Sequence, residues 1–254
     1  MKRILLLILL VFSFSQAQEC KSLLEDFYPD TQQDFKTVEF SMNSETSMNG
    51  MEIVTEATTI IDRENHRLYS KTLTQGMTMI MIIQDGDFSM SMQMPDGSMQ
   101  ALPAMPGMAA QLEPLFDTVF EQGGLPQDYE IVSCDGQVSV KDLISGEQIT
   151  ILSKIPKVDP TADENAELQW EEQEVTMIID NNSGLMGMFM NQEGLGKMFI
   201  LVELQNGADN YIHNMESTMY KVVDGNYELF SRTTLTYNNI NQPIDESLFN
   251  STTE

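Results

Sequence analysis

The sequence predicts a mainly β protein, an antiparallel meander broken by a helix, and three observations predict it. Apolar and polar residues alternate through most of the chain. Tight-turn dipeptides punctuate that alternation, Asp-Gly at 85–86, 96–97, 135–136 and 224–225 and Asn-Gly at 49–50 and 206–207. These are the strongest short-range hairpin signals. One segment, Pro106–Gln122, carries apolar residues at helical spacing instead. With 254 residues, 41% of them hydrophobic, the chain can bury a sizeable core.

The first element is a leader. Lys2 and Arg3 precede an apolar run from Ile4 to Phe12 and a small, polar exit at 13–18. This is the pattern of a secretory signal peptide (1–18), too short to remain as a spanning helix. Cleavage is expected after Ala17 or Gln18, leaving 19–254 as a single periplasmic or secreted domain without a transmembrane anchor. Glu19, directly before Cys20, argues against lipidation of that cysteine. In an oxidising compartment Cys20 and Cys134 read as a structural disulfide, since no Cys-x-x-Cys is present. The bridge would be worth about 4 kcal/mol in the chain-entropy model.

A short helix is expected at Lys21–Phe27. Strands are then expected near Asp34–Ser47, Met51–Ile61, Arg67–Thr74, Met77–Ile83, Phe88–Met94 and Ser98–Leu102. In the interrupting helix, Met105, Met108, Ala109, Leu112, Leu115, Phe116, Val119 and Phe120 share a stripe, and Gly123-Gly124 stops it. Pro106 suits its first turn, while Pro114 should kink it. Beyond it, strands are expected near Tyr129–Cys134, Gln137–Leu143, Gln148–Ile155, Glu174–Ile179, Met198–Gln205, Thr218–Val223 and Tyr227–Tyr237. An acidic loop, Val158–Glu174, carries the single tryptophan, Trp170.

The formal net charge of −26 disfavours nucleic acid and anionic membrane surfaces. Two histidines and two cysteines leave little for a Cys/His zinc site. His66 and His213 sit in polar stretches with no nucleophile to pair with. Asp159, Asp163, Glu164, Glu167, Glu171 and Glu172 lack the ordered spacing of a calcium loop. No Gly-x-Ser-x-Gly elbow, phosphate loop, dinucleotide fingerprint or His-Glu-x-x-His occurs. The reading is a protein that is not an enzyme and uses no cofactor.

Methionine is the outlier, with 20 residues. If Asp85-Gly86 is a two-residue hairpin loop, Gln84 faces Asp87, Ile83 faces Phe88, Met81 faces Met90, Met79 faces Met92 and Met77 faces Met94. The same rule at Asp96-Gly97 sets Met94 against Met99. All but the first pair then share one face, with Ser89, Ser91 and Gln93 on the other. Met186, Met188 and Met190 repeat the alternation. Three readings stay open: an ordinary core under a helix, a cavity for a flexible apolar ligand, and a Cu(I) site. Ordinary sheet cores favour Val, Ile and Phe, methionine is over-used on adaptable binding surfaces, and soft thioethers select Cu(I).

The tail Asn239-Ile240-Asn241-Gln242-Pro243-Ile244-Asp245-Glu246-Ser247-Leu248-Phe249, with Asn241 two before Pro243, resembles the "N-x-P-x-x-x-x-x-F" close of the outer-membrane lipoprotein-sorting, LolA-like group. The layout of signal, short helix, hairpins and the strand around Val223–Tyr227 is similar as well. That group includes LolA, LppX and the RseB sensor domain. The resemblance implies a mainly β fold with a helical lid (α+β), an incomplete antiparallel β-barrel whose concave face is covered by short helices. It implies an apolar cavity for lipid or the acyl chains of lipoproteins. Met77, Met79, Met81, Ile83, Phe88, Met90, Met92, Met94 and Met99 would line it, and Met105, Met108, Leu112, Leu115, Phe116 and Phe120 would form the lid. The basic and aromatic cavity residues of the carrier LolA have no match here. An envelope sensor or structural protein with a protein partner is the third function the layout allows.

Overall fold

The computed structural model describes residues 20–24, 27, 35–48, 50–84, 87–94, 96–102, 129–157, 169–180, 182–192, 195–206 and 212–249. The signal segment, the helix Pro106–Gln122 with its lid residues Met105, Met108, Leu112, Leu115, Phe116 and Phe120, and most of the acidic loop lie outside them.

Thirteen strands are described: β1 Thr37–Met48, β2 Met51–Asp62, β3 Arg67–Thr74, β4 Met77–Gln84, β5 Asp87–Gln93, β6 Met99–Ala101, β7 Tyr129–Val140, β8 Ile144–Lys157, β9 Gln169–Asp180, β10 Leu185–Gln192, β11 Gly196–Asn206, β12 Ile212–Val223 and β13 Asn226–Ile240. They form one sheet in the order β6-β5-β4-β3-β2-β1-β13-β12-β11-β10-β9-β8-β7. Every neighbouring pair is antiparallel. The edge strands β6 and β7 are not bonded to each other, so the sheet is open. Among the described residues, helix is confined to 20–24 and 27 and to a 3₁₀ turn, Glu246–Phe249.

Three local expectations are corrected. Asp135-Gly136 is not a hairpin turn. One strand, β7, runs straight through it, with register shifts between Ile131 and Ser133 and between Cys134 and Gly136. Gly136 sits at φ +77°, the left-handed conformation in which glycine admits an extra residue as a bulge. The reversal comes later, at 141–143. The segment Leu185–Gln192, for which no strand was expected, is β10. Its methionines have modest strand propensity, yet it is held on both sides, by β9 and β11. In the β5–β6 turn, Met94 N–H donates to Ser98 O and Gly97 N–H to Met94 O. Gln93, not Met94, therefore faces Met99. The loop is three residues long with Gly97 at φ +86°, the usual closure when a type I turn is followed by a left-handed residue.

Both sheet faces carry core. On one, Cys20, Leu24 and Phe27 of the N-terminal helical segment pack on Ile149, Ile151, Met177, Ile179, Met186 and Val202. Burying a Leu or Phe side chain in this way contributes about 1.5–3 kcal/mol. The Cys20–Cys134 disulfide, with Cα atoms 6.5 Å apart, ties that segment to β7. On the opposite face, Ile244, Leu248 and Phe249 of the tail cover Ile60, Tyr69 and Ile82. A second cluster there, around Phe199, Ile178, Ile144 and Tyr227, packs over the other half of the sheet.

The tail motif has a structural account. Asn241, at φ +56°, accepts Lys36 N–H on Oδ1 at 2.6 Å and donates its own N–H to Thr37 O. Thr37 Oγ1 donates to Gln242 O. Phe249 is buried beneath Arg67, whose guanidinium carbon lies 4.5 Å from the ring centre. Arg67 in turn binds Asp62 Oδ2 through Nε (3.1 Å) and Nη2 (2.5 Å) and Glu246 Oε2 through Nη1 (2.6 Å). The carboxyl of Asp62, only 1% exposed, also accepts from Asn65 N–H and Nδ2.

Candidate functional site

Residues directly opposite in an antiparallel ladder share a face, so the registers define what each face carries. At the β4–β5 hairpin the observed pairs are Gln84 with Asp87, Ile83 with Phe88, Met81 with Met90 and Met79 with Met92, as the sequence predicts. From there the same face continues through Leu68, Ser70 and Thr72 of β3 and Ile61, Thr59 and Ala57 of β2. It continues into Val38, Phe40 and Met42 of β1, then Tyr237 and Leu235 of β13. Leu235 faces Met215, and Ser231 faces Met219. Those two pair with Leu204 and Ile200 of β11, which leads to Met186, Met188 and Met190 of β10 and to Met177 of β9.

Two groups of methionines that are far apart in sequence, 77–92 and 177–219, therefore lie on one face of one sheet. The sequence pattern showed each group, but only the β1–β13 seam puts them on a common surface. Met177, Met186 and Met198 are buried; Met81, Met90, Met92, Met94, Met188, Met190, Met215 and Met219 are half-buried. Ile83 and Phe88 are half-buried beside them. Met77 and Met79 stand open, at 56% and 42% exposure. Met99 is the exception. Its partner Gln93 points away from Met92, so Met99 leaves this face.

The middle of the face is built from small groups that satisfy one another. Ser44 and Thr233 hydroxyls are 2.9 Å apart, Thr55 and Thr74 3.0 Å, Thr59 and Ser70 3.0 Å, and Thr46 donates to Ser231 at 3.1 Å. Hydroxyls paired across strands need no water, so covering them with an apolar group costs little. On the same face β1 and β13 also carry Phe40, Met42, Leu235 and Tyr237, so the short hydroxyl side chains alternate with larger apolar ones. Sequence reading missed this ladder, although Ser and Thr at alternate positions of β1, β3 and β13 were its signal. Phe40 and Tyr237 meet with ring centres 5.7 Å apart. Burial pushes the Tyr237 phenol above its ordinary value, as a low-dielectric environment should.

The opposite face differs in chemistry. Over β13, β1, β2 and β3 it forms a shallow groove of about 460 Å³ lined by Ser41, Asn43, Glu56, Thr58, Lys71 and Thr234. Among the described residues, no group of three or more His, Cys, Asp or Glu side chains is placed to hold a metal ion. His66 lies exposed in the turn after β2. No described helix is long and apolar enough to cross a membrane.

No family model matches the chain, and no curated protein matches its sequence. Among solved structures it is similar to the Mycobacterium tuberculosis lipoprotein LppX, at 12% identity over 89% of this chain and 98% of that one, with a TM-score of 0.39. It is also similar to a DUF1329 family protein from Desulfovibrio piger, at 9% identity over 92% and 96% of the two chains, with a TM-score of 0.37. At those values neither likeness carries a functional argument.

Proposed function

We propose that the protein, as one envelope domain spanning 19–254 after loss of its signal peptide, is a non-catalytic carrier or holder of lipid. The acyl chains would lie on the methionine face, in a half-barrel trough. One observation carries this reading: the methionines of both halves of the chain share a face whose centre is a self-satisfied hydroxyl ladder, and part of that face is open. Flexible thioethers adapt to a disordered alkyl chain, and burial of alkyl surface supplies the driving force. The disulfide supports a periplasmic or secreted location. Met77, Met79, Met81, Ile83, Phe88, Met90, Met92 and Met94 are assigned to the trough, and Met99 is not. Mass spectrometry of an organic extract of the native protein tests the reading. Reproducible lipid near one mole per mole is expected, and an empty protein would sink it.

A second reading rests on the pairs Met81–Met90 and Met79–Met92, which set four thioethers in a two-by-two array on adjacent strands. Soft donors in that arrangement suit Cu(I). Replacing all four with Leu separates the two. Each swap nearly conserves volume and should cost under about 1.5 kcal/mol, so lipid binding should survive. Copper binding would not.

A further inference from the structure

Among the described residues, most of the large apolar side chains that stand in solvent gather at one end of the sheet, Val132 on the far edge strand β7 being an exception. The reversals that follow β1, β3, β5 and β12 all lie at one end of eight neighbouring strands, β6-β5-β4-β3-β2-β1-β13-β12. Met48, Met51, Met77, Met99, Val223 and Leu229 project from these hairpin tips, between 37% and 61% exposed. At about 4.8 Å per strand, the tips form a rim roughly 30 Å long. The other end of the same strands is charged. It carries the Lys36–Glu64 ion pair at 2.7 Å and the Asp62–Arg67–Glu246 cluster.

Charge narrows what the rim can meet. In a chain of net charge −26, the stretch from Thr72 to Gln84, which makes the β3–β4 tip, has no charged residue. The charges nearest the tips include Glu52, Asp96 and Asp224, so the rim offers no basic patch to an anionic surface. An exposed apolar patch rimmed by polar residues marks an interaction site. Apolar side chains on hairpin tips, held upright by a rigid sheet, suit shallow insertion into an uncharged interface. We propose that this end of the sheet seats on the surface of a zwitterionic lipid bilayer, the strands standing on it with the charged end pointing away. The open residues Met77 and Met79 then lie where the methionine face meets the bilayer, a continuity that rests on the lipid reading above.

Flotation with phosphatidylcholine vesicles, using the full mature protein, tests it. The native protein should float with these vesicles and should do so no better with phosphatidylglycerol ones. The double variant Met99→Glu, Leu229→Glu, whose two positions lie off the methionine face, should lose at least tenfold in vesicle affinity. The lipid recovered from its organic extract should equal that of the native protein. The pair Met99→Leu, Leu229→Met should float like the native protein. Native protein that stays at the bottom of the gradient would overturn the proposal, as would a double-Glu variant that floats equally well. A native dimer that does not float and is split by the same Glu pair would overturn it in favour of self-association. An empty extract beside intact flotation would instead remove the lipid-holding reading and leave the rim.

Discussion

Arg67 is the residue whose loss should hurt most for its size. Its removal leaves the Asp62 carboxylate, 1% exposed, beneath the tail without its cation. Breaking a buried pair in this way costs about 3–5 kcal/mol, and the open turn beside it favours the lower end. Arg67→Ala should therefore shift the urea midpoint strongly, whereas Glu246→Gln should barely move it, because that side chain is 67% exposed. Acidity adds a signature. Burial raises the Asp62 pKa, but hydrogen bonds from Asn65 and Arg67 outweigh it and hold the carboxyl below its ordinary 3.8. The contribution is full above 3.8 and drains away as pH falls through the lower, folded value. The stability gap between the native protein and Asp62→Asn should thus be constant near neutrality and close in acid. None of this was legible in Asp62-Arg63-Glu64-Asn65-His66, which reads as a solvated turn. The groups that bury Asp62 and share its arginine lie far along the chain, at Glu246 and Phe249.

Within the elements, backbone approach sets limits that composition hides. A Cβ on Gly146 would fall 2.2 Å from Ile179 O, a backbone atom that cannot step aside. Gly146→Ala should separate β8 from β9 locally and cost about 1–3 kcal/mol, read as a drop in denaturation midpoint. Gly187 makes room differently, because a Cβ there would meet the Phe199 ring at 2.6 Å. The β4–β5 register was legible because a two-residue turn fixes every pair behind it. Asp135-Gly136 misled for the same chemistry, since a left-handed glycine serves a bulge as well as a turn and only the next strand decides. The strand β10 went unread because Gly187 and three methionines lower its propensity, while its neighbours Ile178–Ile179 and Phe199–Val202 supply the packing.

For the whole molecule, the disulfide and the seam between β1 and β13 are the long-range ties. Cys20 and Cys134 are 114 residues apart, and replacing both with Ser should lower stability by about 4 kcal/mol. That loss should also release the helical residues 20–24 to limited proteolysis before the strands are cut. The hydrophobic pattern gave no hint of which strand would sit beside β1, because pairing between distant strands leaves no mark on local periodicity. The seam also governs how the chain matures. Each hairpin of β1–β6 is local and can close within microseconds, but Ser44 waits for Thr233, 189 positions later. Until then β1 presents a bare row of amide and carbonyl groups, a template for any other strand. A chain that emerges from its N-terminus keeps that edge uncovered until the last strand is delivered. Folding should accordingly show a fast phase followed by one of milliseconds to seconds, and a chain stopped before residue 226 should aggregate through β1 where the full chain stays dispersed.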